Sequence, residues 1–510
     1  MHKQQPFVPR SLLTSVILVT SLGAAPCLAG GQDIDRRIDA LQRQIDKLRQ
    51  IQAEQAQQLK QARAEASQAK AELKRTRAEG GSAWPKGMPT ASFGGQYRIN
   101  AYVADEDTPP PGGDAHTASR LRIRQNIDLK FSKHLDTHLQ LELRHTTGNL
   151  TVTNAGGGGP DNRGSGTGSI GVRHALIHYQ SDGGTQLLAG LVPLSDKFND
   201  TLFSSDWDYN PLAVASIFKL GPGEARVGAA IVSDGASELI NRDDVTQYQA
   251  DYTWGMAGAR LNLGLYVIDG PNVAAFGNTA KHAGYLVNGG LGLELPLSSG
   301  WDFKGFVLGS YTDRSLNPSN YPANSGSRVA DDGSGIAVQG IFSGKLGRGR
   351  LALMATYASG DSDGTGFMPV MAVGGTQGYW GYTGLLTVQG PTDTGIDGDS
   401  VNISNNGYGL ATIQAKYSFP IMDRLDGYLG LGWYGATNAP GMRDDTLGID
   451  GIAMLSYHFT RILGLDFGIA AASLNDSNSP YFVGTKGSFA TPAGTDRTKV
   501  AGFARLQAEF

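Results

Sequence analysis

Hydrophobic and polar residues alternate at every second position over much of the chain. The clearest segment, 120–131, has apolar residues at Leu121, Ile123, Ile127, Leu129 and Phe131, and arginine, asparagine, aspartate or lysine at every even-numbered position. Segment 135–144 repeats the pattern with leucine against charged and polar residues. A period of two predicts β-strands that have one apolar and one polar face.

The lengths of the connections predict how these strands are arranged. About eighteen segments of strand length follow residue 90, and their connections alternate between short and long. The short connections are 132–134, 181–184, 221–224, 255–257, 298–300, 347–349, 421–424 and 460–462. The long ones lie near 105–118, 147–169, 194–212, 234–245, 269–283, 313–334, 359–406, 437–446 and 475–497. This sorting predicts an all-β transmembrane barrel of eighteen antiparallel strands with both termini in the periplasm, and sixteen strands is the alternative.

A helical region precedes the barrel. Ile34, Ile38, Leu41, Ile45 and Leu48 follow alternating steps of four and three, the pattern of a coiled coil, and the later layers weaken to glutamine and alanine. We predict a periplasmic coiled-coil helix over residues 30–81 and the barrel over residues 82–510. A solvated single helix or a linker is the alternative for the first of these regions. Isoleucine and leucine in these layers favour a coiled coil of two helices. A trimer would therefore require the barrel interface to outweigh this preference of the helix.

The first residues have the features of a secretory signal. Lys3 and Arg10 precede a short apolar run, and Cys27-Leu28-Ala29 has the small residues of a cleavage site. We predict that residues 1–29 are a signal peptide, whose removal would leave a chain without cysteine and exclude disulfides and thiol chemistry. A lipoprotein signal at Cys27 is the alternative, although Pro26 fits it poorly.

Composition excludes two classes of protein. Beyond the N-terminus, no stretch approaches the roughly 18 uncharged apolar residues that a membrane-spanning helix requires. The net charge of −4 and the 71 glycines among 510 residues give no sign of a nucleic-acid binder.

A basic wall is predicted inside the barrel, where the polar positions face the lumen. It consists of Arg98, Arg120, Arg122, Arg124, Lys130, Arg144 and Arg505, and Arg260 is a further pore-lining cation. Arginine ladders select anions in water-filled pores. Salt bridges from these arginines to Asp128, Asp136 and Glu142 are the alternative interpretation.

Motifs for catalysis or cofactors are sparse. The chain has neither a Gly-x-Ser-x-Gly elbow nor a His-Glu-x-x-His motif, so we do not predict an enzyme or a cofactor. His174 and His178 are expected to be lumenal polar groups. In the largest loop, Asp361 and Asp363 form a weak calcium candidate, because clustered carboxylates suit calcium.

The order of these parts resembles a known family. A signal peptide, a coiled coil and a long barrel whose last strand alternates down to Phe510 together resemble the trimeric porins with an N-terminal coiled coil, which include dicarboxylate-type, phosphate-selective-type and sucrose porins. The resemblance implies a homotrimer in the outer membrane of a Gram-negative bacterium, in contact with its lipid. Phe510 would be read by the barrel assembly machinery, and the helix would contact peptidoglycan.

The resemblance also implies a constriction loop in the lumen, here residues 195–212 with Asp196, Asp200, Asp206 and Asp208. Solvated aspartates on a surface loop are the alternative. We therefore expect a passive diffusion channel for small hydrophilic solutes that favours anions such as carboxylates. A sugar-specific porin with Tyr102, Tyr266 and Tyr428 as its aromatic positions, a plugged envelope-tethering barrel and a barrel enzyme with a Ser/His/Asp cluster at its rim are the other functions.

Overall fold

The computed structural model describes most of the barrel region. The described residues are 89–106, 116–146, 171–207, 209–233, 245–256, 258–270, 284–312, 333–361, 366–370, 381–386, 390–391, 401, 403–404, 409–438, 445–474 and 497–510. The predicted signal peptide and coiled coil lie outside them. All described residues belong to one of the two compact units of the chain, Pro89–Phe510. No helix among them is long and apolar enough to cross a membrane.

Eighteen strands make up the described part of the chain. They are β1 Thr90–Glu106, β2 His116–Lys130, β3 Leu135–Thr146, β4 Gly171–Gln180, β5 Gln186–Leu191, β6 Leu212–Leu220, β7 Gly223–Ser233, β8 Val245–Met256, β9 Ala259–Gly270, β10 Gly284–Pro296, β11 Trp301–Thr312, β12 Gly333–Leu346, β13 Gly349–Ala358, β14 Leu410–Met422, β15 Leu425–Gly435, β16 Thr446–His458, β17 Leu463–Leu474 and β18 Arg497–Glu509. Every pairing between them is antiparallel.

The sheet closes on itself because β1 pairs with both β2 and β18. At the seam, the Phe510 carbonyl accepts from the Gly95 N–H at 2.9 Å, the Phe510 N–H donates back at 3.1 Å, and the Phe510 ring stacks on Tyr97 with centroids 5.6 Å apart. Closure leaves no strand edge exposed. The predicted barrel of eighteen strands is confirmed, and the alternative of sixteen is wrong.

The short and long connections also alternate as predicted. Each predicted short connection joins two consecutive strands at one end of the barrel, and the long connections join the strands at the other end. The third long connection is 192–211 rather than 195–212, because Leu212 already belongs to β6. We refer to residues 192–211 as loop 3 and to residues 359–409, between β13 and β14, as loop 7.

The outer face of the barrel is apolar. Phe93, Ile413 and Ile469 each expose about two thirds of their surface there. Aromatic pairs stand near both ends, such as Phe303–Phe342 near the short connections, with centroids 4.8 Å apart, and Tyr285–Tyr311 near the long ones, at 5.7 Å. Such belts are typical of the two interfaces of a membrane. The buried hydrophobic cluster therefore lies inside the barrel, where loops 3 and 7 pack against the wall.

Candidate functional site

Loop 3 crosses the lumen. Phe198 packs edge-on against Tyr266 of β9, with centroids 6.2 Å apart, and against Phe306 of β11, at 6.3 Å. The Asn199 side chain donates from Nδ2 to Gln339 Oε1 of β12 at 2.9 Å. Because β12 stands seven strands away from β5 in the ring of eighteen, the loop reaches well across the barrel.

Two glycines make room for the Phe198 ring on the wall. A Cβ at Gly264 would lie 2.7 Å from Phe198 Cε2, and a Cβ at Gly292 would lie 3.3 Å from Phe198 Cδ1. The first distance is shorter than any real carbon contact and the second is merely tight. The absence of a side chain at these positions therefore lets the ring pack close to the backbone of β9 and β10.

Asp196 organises loop 3 from within. Its carboxylate accepts the backbone N–H groups of Phe198 at 2.6 Å, Leu202 at 2.5 Å and Phe203 at 3.0 Å, and the residue is only 7 % exposed. Burial raises the pKa of the Asp196 carboxyl to about 7, the Asp200 charge adds to this rise, and the three N–H donors oppose it. Asp196 is thus turned into the loop rather than toward the basic wall.

The other predicted acidic residues of loop 3 differ from Asp196 in their surroundings. Asp200 is half-buried, and burial followed by the Asp206 charge raises the pKa of its carboxyl. Asp206 is exposed. Asp208 lies outside the described residues. Asp206 is therefore the described aspartate of loop 3 that presents its carboxylate most openly to solvent.

Loop 7 also enters the lumen, which the sequence analysis did not predict. Asp450 Oδ2 on β16 accepts the N–H groups of Leu385 at 2.8 Å and Leu386 at 2.7 Å. On β15, the Tyr428 hydroxyl donates to the Tyr382 carbonyl at 2.9 Å. The apolar residues of this otherwise polar loop are the signal that could have revealed it: Phe367, Met368, Val370, Leu385 and Leu386 are all buried.

The basic wall lies on neighbouring strands at the barrel seam. Arg98 and Arg122 stand directly opposite each other on β1 and β2, and they are 3 % and 8 % exposed. Arg98 Nε donates to Gln507 Oε1 at 2.7 Å, and Arg122 Nη2 donates to Gln96 Oε1 at 2.6 Å. Neutral amides are thus among the partners of both arginines. On β1, Arg98 alternates with the exposed Ile99, which lies on the apolar outer face.

The salt-bridge interpretation describes some members of the basic wall. Arg124 forms an ion pair with the fully buried Glu142, and Arg505 forms one with Asp466 at 2.7 Å. The other two proposed partners bind histidines instead: Asp128 contacts His138 at 2.6 Å and Asp136 contacts His178 at 3.0 Å.

The remaining predicted cations lie at the rim of the barrel, or their side chains are not among those described. Lys130 is exposed beside a short connection, and Arg260 is exposed with Glu294 at 3.5 Å. Arg120 and Arg144 occupy the register positions opposite Asn100 and Arg122. Their side chains lie outside the described residues.

Arg173 is a lumenal cation that alternation alone could not reveal. The register of β3 and β4 shifts between Gln140 and Leu141, so that Arg173 is an extra residue in β4. It turns inward together with His174, is buried, and donates from Nη1 to Gln140 Oε1 at 2.8 Å. A β-bulge places an extra residue in one strand and so interrupts the alternation of inward and outward side chains. The sequence of β4 does not reveal where this interruption falls.

Histidines connect this region to Asp128 and Ser205 in an order that resembles a hydrolase triad. His138 Nδ1 lies 2.6 Å from Asp128, His138 Nε2 lies 3.3 Å from His174 Nδ1, and His174 Nε2 lies 3.4 Å from Ser205 Oγ. However, Arg173 Nη1 lies 2.9 Å from His174 Nε2, and Ser205 Oγ donates to Asn210 at 2.9 Å. The guanidinium thus occupies the nitrogen that a general base would need, which disfavours nucleophilic chemistry here.

No metal site is found among the described residues: none of their His, Cys, Asp and Glu side chains form a group of three or more that could hold an ion. Of the calcium candidates, Asp361 is described and Asp363 lies outside.

Comparisons with known proteins find solved structures of low similarity to this chain. No family model and no curated protein matches the chain. Similar solved structures include OccAB1 of Acinetobacter baumannii, with 12 % identity and a TM-score of 0.49 over 82 % of this chain and 97 % of that one. OpdQ of Pseudomonas aeruginosa has 10 % identity and a TM-score of 0.49 over the same shares. OpdK of Pseudomonas aeruginosa, solved with vanillate, has 12 % identity and a TM-score of 0.43 over 82 % and 99 %. Similarity this low carries no argument about function, which must come from the lumen itself.

Proposed function

We propose that this protein is an outer-membrane porin, a passive diffusion channel for small hydrophilic solutes. The observation that carries the proposal is a closed barrel with an apolar exterior and a polar lumen that two inward loops narrow. The described contacts of loops 3 and 7 fall on β4, β7–β12 and β14–β16, whereas the basic wall lies on β18 and β1–β3. The solute path therefore runs between the loops and the basic wall.

We further propose that the channel favours anions such as carboxylates. Arg98 and Arg122 stand directly opposite each other, and like charges in such a pair repel. An anion near this pair would relieve part of that repulsion. Lys130 and Arg260 at the short-connection rim would attract anions from that side.

Planar-bilayer recordings of the purified protein test both parts of the proposal. Arg98→Gln and Arg122→Gln should shift the reversal potential in a KCl gradient toward lower chloride preference. Arg350→Gln is the matched control, since that exposed arginine pairs with Asp302 at 2.5 Å at the short-connection rim. Arg124 is a poor choice for substitution, because it forms an ion pair with the buried Glu142 and its loss would also destabilise the fold.

The outcomes separate the two parts. A purified, folded protein without any open conductance would refute the channel. An open channel with cation preference, or one whose reversal potential is the same in the wall variants as in the control, would refute the role of the basic wall.

Two of the three tyrosines predicted for a sugar channel contact the inward loops instead of facing the solute. Tyr266 is fully buried beneath loop 3, where it packs against Phe198 and Phe203. Tyr428 holds loop 7 through its hydroxyl. A sugar ladder needs aromatic faces open to the solute, so these contacts favour the anion channel over the sugar channel.

We propose that the barrel assembles as a homotrimer in the outer membrane. We further propose that the predicted N-terminal helix lies in the periplasm, where it contacts peptidoglycan, and that the barrel assembly machinery recognises Phe510. The six residues of β5 support a protein neighbour. At about 3.3 Å per residue and a tilt near 40° they rise roughly 15 Å, less than the apolar band of about 25 Å. A second protomer beside β5 would cover the difference, and sedimentation of the protein in detergent as a monomer would contradict this.

A further inference from the structure

We propose that Arg173 and Arg226 act as two clasps that hold the base of loop 3 and thereby set the width of the pore. This inference rests on the proposed channel function. The two clasp arginines lie on β4 and β7, the strands that flank β5 and β6, from which loop 3 departs. They are positioning residues, acting on the solute path through the loop.

The clasp on β7 joins a carboxylate and the loop backbone. Arg226 Nε donates to Asp251 Oδ2 at 2.7 Å, and Arg226 Nη2 donates to the Ser195 carbonyl of loop 3 at 2.7 Å. Asp251 is buried, so its charge keeps the guanidinium in place. One guanidinium group thus connects β7 and β8 to the N-terminal segment of loop 3, at Ser195.

The clasp on β4 has the same construction. Arg173 Nη2 donates to the Ser205 carbonyl of loop 3, and Arg173 Nε lies 3.7 Å from the buried Glu142. It holds the second arm of the loop. A planar guanidinium presents five donors in fixed directions and can reach a carboxylate and a carbonyl on different sides, a geometry that the compact ammonium of lysine does not reproduce.

The two arms that the clasps hold are joined to each other. The Ser205 N–H donates to Ser195 Oγ at 3.2 Å, and the Asp196 N–H donates to the Phe203 carbonyl at 3.1 Å. The held carbonyls therefore belong to one small hydrogen-bonded unit. A displacement of the segment at Ser195 or of the segment at Ser205 is therefore opposed by the contacts with both β4 and β7, which fix the position of the base of loop 3.

A chain of hydrogen bonds orients the clasp on β4. Asp128 accepts from His138 Nδ1, which leaves His138 Nε2 to accept from His174 Nδ1, and His174 Nε2 then accepts from Arg173 Nη1. These proton positions follow from donor and acceptor complementarity. The chain ties Nη1 to the wall and leaves Nη2 directed at loop 3.

A spin label in loop 3 tests the clasps independently of ion flow. Cys27 is the only cysteine of the chain, so Asp206→Cys in a Cys27→Ala background gives one labelling site at an exposed position. Arg173→Gln, Arg226→Gln and the double variant are compared with Arg173→Lys and Arg226→Lys. Arg350→Gln is the control, because it removes an exposed arginine at the short-connection rim.

We expect the label to be immobilised in the parent and in Arg350→Gln. Each glutamine variant should give a mobile spectral component and raise the rate of transitions between conductance levels about ten-fold, as the loss of one charged hydrogen bond would. The lysine variants should behave like the glutamine variants, although they keep the charge. The double variant should exceed either single variant.

Three results would overturn the clasps: an immobilised label with unchanged current in the double variant, full retention of parent behaviour by both lysine variants, or equal effects from Arg350→Gln. If the glutamine variants fail to fold, as judged by heat-modifiable mobility on gels, the lysine variants decide. A parent protein that gives no current refutes the channel, while its spectra still report on the clasps.

Discussion

Phe198 offers the sharpest test of how loop 3 narrows the lumen. Its side chain is 1 % exposed and lies between the Tyr266 and Phe306 rings, over the backbone of two glycines. Replacing a buried phenylalanine with alanine costs about 3 to 5 kcal/mol. Since about 1.4 kcal/mol is a factor of ten, Phe198→Ala should raise the undocked fraction of loop 3 by about a hundred-fold to several thousand-fold.

Single-channel recording measures this change directly. We expect Phe198→Ala to spend much more time in a state of larger conductance than the parent channel. Phe342→Ala is the matched control, because this phenylalanine faces lipid and is 47 % exposed. Its loss should leave the conductance levels unchanged.

Two glycine substitutions check the same contact without removing the ring. Gly264→Ala would bring a Cβ within 2.7 Å of Phe198 and should displace the ring, whereas Gly292→Ala at 3.3 Å requires only a small adjustment. The larger conductance should therefore be pronounced for the first and weak for the second. If Phe198→Ala and Gly264→Ala both conduct as the parent does, loop 3 is not held by this contact and the reasoning fails.

Two further predictions concern groups that hold the loops. The pKa of Asp196 in the docked loop is about 7, above the 3.8 of an ordinary aspartate, so the docked loop binds the proton more tightly and docking weakens as the pH rises between these values. From pH 5 to pH 8 the free energy of docking of loop 3 falls by about 3 kcal/mol. The spin label on loop 3 should therefore be more mobile at pH 8, and Asp196→Asn should abolish this dependence. A label that is more mobile at pH 5 would contradict the prediction. Asp450→Ala should free loop 7 by leaving two backbone N–H groups without their acceptor, at about 1 to 3 kcal/mol each, and should raise the conductance, whereas an unchanged conductance would mean that loop 7 does not border the path.

Local sequence determined most of the barrel. The alternation in β2 settles which side chains face the lumen, because successive residues of a strand point to opposite sides. Connection lengths settle the number of strands, because tight turns occur at one end only. These properties depend on neighbours in the chain, so they could be predicted before any tertiary contact was known.

Tertiary structure decided what fills the lumen. Arg173 faces inward because of a bulge against β3, and Asp196 is buried because loop 3 folds around it. Arg124 meets Glu142 across two strands, and the loop residues Phe198 and Leu385 meet walls far away in sequence. The contacts of Phe198 and Leu385 require the closed barrel, because only the curved sheet brings these loops within reach of distant strands. The sequence alone therefore predicts a basic wall, while only the closed barrel decides which arginines face the solute path and which hold the protein together.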